Sequence, residues 1–202
     1  MNPSFWNERF AADEWVYGAA PNAFIADQSA RLLEGASVIE LGAGEGRNAV
    51  FLAEQGFDVT ALDYSAEGLR KTRTLADERG VSVETIRADV MEWAPERTWD
   101  AVVIAFLHLP PEARPALHRR IRQILRPGGV LIAEWFRPEQ VTEGYSSGGP
   151  PRAEMMLTPD ELRADFPEAG IQLLESVETE LSEGPHHQGP AAVVRFVWQA
   201  PA

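Results

Sequence analysis

The stretch Val38-Ile-Glu-Leu-Gly-Ala-Gly-Glu-Gly-Arg-Asn48 decides the fold, because it predicts a buried strand, a glycine turn and the start of a helix. Such a turn lets the backbone approach a ligand closely, and the helix offers free N–H groups to a carboxylate or a phosphate. The motif is also compatible with a dinucleotide site. Its glycines, however, fall at alternate positions rather than at the spacing of a pyrophosphate turn, and the carboxylate of Glu40 would repel a pyrophosphate but suit an ammonium group.

On both sides of this motif, short β-type stretches alternate with amphipathic helices from about residue 21 onward. The predicted strands, in chain order, are 37–41, 58–63, 81–87, 99–105, 130–135, 171–181 and 191–199. The last two alternate between apolar and polar residues and are predicted to form an antiparallel pair. The pattern predicts an α/β fold, in which a seven-stranded, mostly parallel sheet carries helices on both faces. Asn22 and Ser65 are predicted helix N-caps.

Composition limits the possible partners. The chain of 202 residues contains 18 lysines and arginines and 31 aspartates and glutamates. Its formal net charge is therefore −13. Such a surface repels phosphate backbones and anionic lipids, so we expect neither a nucleic acid nor a membrane as partner. The chain has no cysteine, which excludes disulfides and a cysteine nucleophile. No signal peptide and no apolar run of the ~20 residues that span a bilayer are visible, so we expect a cytoplasmic protein.

Carboxylates are predicted at the ends of neighbouring strands. Asp63 ends the second strand, where open α/β sheets present an acid to ribose hydroxyls. Asp89 follows the third strand and could accept a hydrogen bond from an adenine amine while Val90 covers a ring face. Because parallel strands end at the same edge of the sheet, Glu40, Asp63 and Asp89 should share one crevice. Together they predict a nucleoside-binding site.

With these motifs the chain resembles the class I S-adenosylmethionine-dependent methyltransferases. The matching features are the glycine motif 40–46, Asp63, Asp89, the fourth-strand segment 100–106, the turn 125–129 and the closing antiparallel pair. Within that superfamily it looks most like the small bacterial tellurite-resistance (TehB-like) group, on residues 46–48 and 51–53 and its compact length. The resemblance implies a Rossmann-like sandwich that binds S-adenosylmethionine and releases S-adenosylhomocysteine.

The resemblance also implies which residues hold this cofactor: Glu40, Gly42, Ala43, Gly44, Gly46, Asn48, Asp63, Tyr64, Asp89, Val90, Ala105 and Phe106. The backbone of the glycine turn would hold the methionine portion, and Asp63 would hold the ribose with Tyr64 stacked beside the adenosine. Asp89 and Val90 would hold the adenine. Residues 105–107 would form the floor near the sulfonium, although ordinary packing at the sheet end is an alternative for them.

Three segments outside the predicted core could surround the methyl acceptor. They are the aromatic N-terminal segment 5–18, the Gly/Ser/Pro loop 144–152 and the connection 183–189. The substrate residues predicted in them are Arg9, Trp15, Tyr17, Tyr145, Arg152 and His187. The alternatives are a hydrophobic flap packed on the sheet edge, a mobile surface loop and an exposed hairpin.

Histidines are the candidate catalytic residues, because imidazole exchanges protons near neutral pH. We predict that His187 is a general base or substrate orienter, with Glu183 alongside, and that His108 is a second candidate base. Ligation of a metal by His186 and His187 is disfavoured, because adjacent side chains rarely converge on one ion, and no metal is predicted. His118 is expected to be solvated.

The sequence thus predicts one methyltransferase domain over residues 1–202. It would comprise an N-terminal flap (1–20), a cofactor-binding core (21–135), and a substrate loop with the antiparallel strand pair (136–202). The expected activity is in-line methyl transfer to a small molecule, such as a thiol or a selenium or tellurium compound, with O- or N-methylation of a biosynthetic metabolite as the alternative. Rival hypotheses are a nicotinamide-dependent oxidoreductase and a non-catalytic cofactor-binding regulatory module. The sequence does not indicate an oligomeric state.

Overall fold

Seven helices and seven strands make up the fold of the computed structural model, which describes residues 3–202. The helices are α1 (Pro3–Phe10), α2 (Ala23–Gln28), α3 (Arg47–Glu54), α4 (Ala66–Arg79), α5 (Arg114–Ile124), α6 (Glu139–Thr142) and α7 (Pro159–Asp165). The strands are β1 (Ser37–Leu41), β2 (Asp58–Asp63), β3 (Glu84–Arg87), β4 (Trp99–Ala105), β5 (Leu125–Phe136), β6 (Ile171–Ser182) and β7 (Gln188–Gln199). Residues 1 and 2 of the predicted flap lie outside the described residues.

The strands form one sheet in the order β3-β2-β1-β4-β5-β7-β6. The first five are parallel to one another, whereas β7 runs antiparallel to both β5 and β6. This confirms the predicted mostly parallel sheet with its C-terminal antiparallel pair. The strand order reverses between β1 and β4, and in open α/β sheets ligands bind outside the carboxyl ends of the strands at such a switch point.

Alternating side chains of the central strands supply two cores. Ile39 and Leu41 of β1 point to the face covered by α5 and α7, where Leu117 and Ile121 pack. Val38 points to the opposite face, where α2, α3 and α4 pack. Burial on both faces explains why Val38, Ile39 and Leu41 of β1 are all apolar.

Several element boundaries differ from the sequence prediction. The third strand begins at Glu84 rather than at residue 81, because Gly80 ends α4 in a left-handed conformation and the N–H of Val81 still donates to the carbonyl of Ala76. At the other end of the sheet, β6 and β7 extend further than predicted, so that the connection shrinks to residues 183–187. No helix within residues 3–202 is long and apolar enough to cross a bilayer.

Candidate active site

A cavity of about 680 Å³ opens at the carboxyl ends of β1, β2 and β4. The predicted site residues that line it are Arg9, Tyr17, Glu40, Gly42, Ala43, Gly44, Asn48, Asp63, Tyr64, Asp89, Val90, Ala105, Phe106, His108 and His187. Four others, Gly46, Trp15, Tyr145 and Arg152, do not line it. The fold therefore brings all the predicted cofactor residues except Gly46, both candidate bases and part of the N-terminal segment to one cavity.

The alternate glycines are explained by backbone conformation. Gly42, Gly44 and Gly46 have φ of +74°, +56° and +84°, the left-handed region that favours glycine. A Cβ at Gly46 would lie 2.5 Å from the side chain of Thr72 on α4, so this position serves the packing of α3 against α4 rather than the cavity. Gly42 and Gly44 instead shape the backbone that faces the cavity.

Asp63 holds the glycine turn in place from the end of β2. Its Oδ2 accepts a hydrogen bond from the N–H of Gly44, and its Oδ1 accepts one from the N–H of Ser65, both at 2.8 Å. Burial raises the pKa of this carboxyl, although the backbone hydrogen bonds oppose the shift. A carboxylate has about four acceptor positions, so acceptor capacity stays available to a ligand.

Asp89 lies exposed on the cavity wall, where its Oδ1 accepts a hydrogen bond from the N–H of Met91 and orders the turn after β3. Val90 beside it is buried. Burial, together with the charges of Asp63 and Asp89, raises the pKa of Tyr64 to about 12, so its phenol stays protonated.

Glu40 has one oxygen that no side chain satisfies. Its Oε1 accepts a hydrogen bond from Asn48 Nδ2 at 2.8 Å, whereas Oε2 is buried without a hydrogen-bond partner in the described part of the chain. Burial raises the pKa of Glu40 to about 7, against the hydrogen bond of Asn48 and the charge of Arg47. A ligand cation would stabilise the ionised form of this carboxyl.

A buried polar network, which the sequence did not reveal, continues from Asn48. The Oδ1 of Asn48 accepts a hydrogen bond from the backbone N–H of Asn22 at 2.8 Å. The Nδ2 of Asn22 donates to Glu134 Oε1 at 2.7 Å and to Glu183 Oε1 at 3.0 Å. Its Oδ1 caps α2 as predicted. Asn22 therefore connects the first turn of α3, strand β5 and the β6–β7 connection.

His187 is buried against aromatic rings at one end of the cavity. Its ring centroid lies 4.4 Å from that of Tyr17 and 4.6 Å from that of Phe106. Its Nδ1 lies 3.7 Å from Glu183 Oε2, which in turn lies 2.7 Å from Arg47 Nη2. Burial lowers the pKa of His187, against the influence of Glu183. The alternative of an exposed hairpin residue is therefore wrong for His187, but it holds for His186.

Glu183, in the β6–β7 connection, is ionised. Burial alone would raise its pKa, but the side chain of His187 and the charge of Arg47 hold the pKa at about 2. The negative carboxylate beside Nδ1 favours the tautomer in which Nδ1 carries the proton.

His108 is the second buried imidazole of the cavity. Its Nδ1 lies 3.2 Å from the carbonyl oxygen of Met155, and its Nε2 is buried with no hydrogen-bond partner among residues 3–202. Burial lowers the pKa of His108 to about 3, so this imidazole is neutral. Its ring stacks on Phe136, with the centroids 5.8 Å apart.

Phe106 occupies a strained conformation between these groups. Within residues 3–202 it is the one non-glycine residue with a positive φ, at +57°. For an L-residue this costs about 1–2 kcal/mol, so the surrounding contacts must hold it in place. Its ring stacks on Phe136 at 4.5 Å and presents an edge contact to His187. This backbone conformation places the Phe106 ring in the aromatic wall of the cavity.

A buried ion pair anchors the N-terminal segment over the glycine turn. Lys71 Nζ lies 2.8 Å from Glu45 Oε1 and also donates to the carbonyl of Glu14, while Glu45 Oε2 accepts from the N–H of Val16. Arg9 lies earlier in this segment, on α1. Its guanidinium carbon is 5.8 Å from the ring centroids of Phe5, Trp6 and Tyr17. Its Nε is buried and no partner for it occurs in the described chain.

Three predicted substrate residues lie elsewhere. Trp15 packs under Lys71, with its ring centroid 5.3 Å from Nζ. The hydroxyl of Tyr145 contacts Glu143, and Arg152 pairs with Glu154 on the surface. None of these three side chains lines the cavity, and each contacts a partner outside it.

The expectation that His118 is solvated is wrong. It is buried, and its Nδ1 lies 2.6 Å from Asp165 Oδ2 on α7. The loop 144–152 is also held in place, since the buried Ser147 donates to the carbonyl of Pro190 and accepts from Gln140. Within residues 3–202 no group of three or more acidic, histidine or cysteine side chains could hold a metal ion.

Comparisons with known proteins show what this chain resembles. Residues 38–129 match the model of a protein family described as a methyltransferase domain. The probable S-adenosyl-L-methionine-dependent methyltransferase TehB of Haemophilus influenzae is 23% identical over 106 residues, which are 52% of this chain and 37% of that protein. A ubiquinone biosynthesis O-methyltransferase of Klebsiella pneumoniae is 33% identical over 112 residues, 54% of this chain and 46% of that protein. The matched part of this chain thus spans less than half of either relative.

Solved structures share the whole fold. The crystal structure of TehB from Haemophilus influenzae aligns with a TM-score of 0.72 at 14% identity, covering 98% of this chain and 66% of that one. The N-methyltransferase NodS from Bradyrhizobium japonicum, in complex with S-adenosyl-L-homocysteine, aligns with a TM-score of 0.70 at 14% identity, covering all of both chains. At these identities the likeness establishes a common fold.

Proposed function

We propose that this chain, whose residues 38–129 match a methyltransferase-domain family, is a class I S-adenosylmethionine-dependent methyltransferase that transfers the methyl group of S-adenosylmethionine to a small-molecule acceptor. One observation carries the proposal: the glycine turn, Glu40, Asp63 and two buried histidines line the same cavity. The first three suit a nucleoside that carries an amino acid. The two histidines lie where a methyl acceptor would bind beside it.

The residues present fit this cofactor. The unsatisfied Oε2 of Glu40 would receive the ammonium group, and the guanidinium of Arg9, whose Nε has no hydrogen-bond partner in the described chain, would receive the carboxylate. Asp63 would accept hydrogen bonds from the ribose with its remaining acceptor capacity. Asp89 and Val90 would hold the adenine at the opposite wall. When bound, the cofactor supplies an electrophilic methyl group and leaves as S-adenosylhomocysteine.

The protein's share of the chemistry is positioning and exclusion of water. An acceptor held in line, at roughly 3 to 3.5 Å from the methyl carbon, needs no other activation if it is already an anion. An acceptor that carries a proton needs a base within hydrogen-bond reach. His187, oriented by Glu183 and packed between Tyr17 and Phe106, would take that proton.

The named relatives leave the acceptor atom open. An O-methyltransferase and TehB occur among them, and NodS is an N-methyltransferase. The division into a flap (1–20), a core (21–135) and a substrate part (136–202), a small molecule as the sole partner and a cytoplasmic location stay predictions. A non-catalytic regulatory module is disfavoured, because the cavity continues past the glycine turn to His108, Phe136 and His187.

Calorimetry would test the cofactor. We expect S-adenosylhomocysteine to bind and NAD not to bind, and Asp63→Asn to weaken S-adenosylhomocysteine binding by about 1–3 kcal/mol through loss of charge-assisted hydrogen bonds. Tyr145→Phe, at a residue off the cavity, serves as the control and should bind as the parent does. Binding of NAD in place of S-adenosylhomocysteine would support the oxidoreductase hypothesis.

A further inference from the structure

Two buried imidazoles flank one phenylalanine at the acceptor end of the cavity. The ring centroid of Phe136 lies 5.8 Å from that of His108 and 5.5 Å from that of His187. Both histidines line the cavity and are almost fully buried, each with 4% of its surface exposed. Burial lowers the pKa of both, so both rings are neutral at physiological pH.

The neighbours of each ring favour one tautomer. The Nδ1 of His108 lies 3.2 Å from the carbonyl oxygen of Met155, which only accepts hydrogen bonds, so Nδ1 carries the proton and Nε2 carries the lone pair. The Nδ1 of His187 faces the Glu183 carboxylate, which Arg47 keeps charged. The Nε2 of His187 therefore also carries a lone pair. Both rings that line this end of the cavity thus carry a hydrogen-bond acceptor.

Aromatic rings surround the candidate base. Tyr17, Phe106 and Phe136 pack around His187, and Leu107 also lines the cavity. Aromatic faces favour a flat, apolar body. Two imidazole lone pairs accept hydrogen bonds from O–H or N–H groups, whereas an anionic acceptor, such as a thiolate or a tellurium oxyanion, has no proton to donate to them.

We propose that the acceptor is a neutral aromatic molecule with two hydrogen-bond donors, hydroxyl or amine, of which His187 deprotonates one and His108 binds the other. The inference rests on the methyltransferase function proposed above. In the transfer, the O–H or N–H proton moves to His187 Nε2 and the acceptor heteroatom bonds to the methyl carbon. The carbon–sulfur bond breaks, and sulfur keeps the electron pair as a neutral thioether. His108 is a specificity residue, because an analogue without the second donor leaves its Nε2 unsatisfied.

An acceptor panel would test this. Pairs of dihydroxy- or amino-hydroxyarenes and their mono-O-methyl derivatives would be assayed for S-adenosylhomocysteine release, together with thiophenol and tellurite. We expect kcat/KM to be higher for the two-donor member of at least one pair by roughly tenfold or more. Preferential methylation of thiophenol or tellurite, or equal values throughout each pair, would overturn the inference.

Variants locate the effect. His108→Leu and His108→Phe, neither of which offers a hydrogen-bond acceptor, should reduce the two-donor preference to a ratio near one. His118→Gln alters a buried histidine outside the cavity and should keep the ratio of the parent. Calorimetry on the same samples separates the two proposals: if S-adenosylhomocysteine does not bind the parent, the methyltransferase function fails as well. If it binds but the His108 variants retain the full preference, only the two-donor inference fails.

Discussion

Glu40 is a buried carboxyl whose charge should depend on whether a ligand cation is present. With a pKa of about 7 in the free protein, it is half protonated near neutrality. An ammonium group against its unsatisfied Oε2 favours the ionised form, so binding below pH 7 must first remove a proton. Affinity should therefore fall as pH decreases through 7 and level off above it.

The affinity of S-adenosylhomocysteine, measured by calorimetry between pH 5.5 and 8.5, should fall about tenfold for each pH unit below 7. Glu40→Gln cannot ionise and should remove this dependence, leaving weaker and flatter binding. Asp89→Asn, at the exposed wall of the cavity, should retain it. A flat profile in the parent would mean that Glu40 does not receive the ammonium group.

At the scale of elements, the loop between α6 and α7 packs directly against the candidate base. Gly148 has φ of +126°, and a Cβ there would lie 2.6 Å from His187 Cδ2 and 2.8 Å from the carbonyl oxygen of His186. Gly148→Ala should therefore displace the imidazole. Since misplacement of a reacting group by 1 Å can cost on the order of 10²-fold, turnover should fall steeply while S-adenosylhomocysteine still binds.

The same loop offers a matched control. Gly144 also has a positive φ, at +78°, but a Cβ there would meet nothing within 4 Å. Gly144→Ala should cost about 1–2 kcal/mol of stability from backbone strain and leave turnover unchanged. Equal turnover in both alanine variants would show that the loop does not position His187.

The N-terminal segment is held by a second element contact, the buried pair Lys71–Glu45. Side-chain exposure is 5% for Lys71 and 2% for Glu45, so neither charge has water as an alternative partner. Lys71→Met should lower the free energy of unfolding by about 3–5 kcal/mol, because it leaves a buried carboxylate unpaired. Lys71→Met combined with Glu45→Gln should recover part of that loss.

Urea unfolding would measure the effect, with Arg70→Met as the control on the same helix. Arg70 pairs with Glu67 at 2.9 Å, but its side chain is 54% exposed, so the loss there should be below about 1 kcal/mol. A similar cost for both variants would mean that the buried pair does not anchor the segment.

Over the whole molecule, the features that could be predicted from the sequence are those that depend on a local pattern of residues. The bounds of β1, β2 and β4 match, because buried strands are continuous apolar runs between turn residues. The cavity residues at the strand ends follow from parallel topology. The network around Asn22 has no such signal, since its partners Glu134 and Glu183 lie 112 and 161 residues away. The positive φ of Phe106 likewise results from tertiary packing, which its residue type does not disclose.

Because Asn22 bonds to residues from distant parts of the chain, we expect it to affect both the stability of the fold and the geometry of the site. Its side chain satisfies two buried carboxylates and caps α2, and its backbone N–H orients Asn48, the partner of Glu40. Asn22→Ala removes a donor from Glu134 and Glu183 together with the cap. We expect a loss of about 2–4 kcal/mol in the free energy of unfolding, beyond the ~1 kcal/mol of a cap alone.

Thr158→Ala isolates the cost of a cap, because Thr158 caps α7 away from the cavity. Asn22→Ala should also reduce turnover more than S-adenosylhomocysteine affinity, since Glu183 loses a hydrogen bond that helps to orient it toward His187. Urea unfolding and acceptor kinetics on the two variants would separate these effects. If Asn22→Ala costs no more than Thr158→Ala and leaves turnover intact, the network is only a cap, and the two ends of the cavity are not coupled through it.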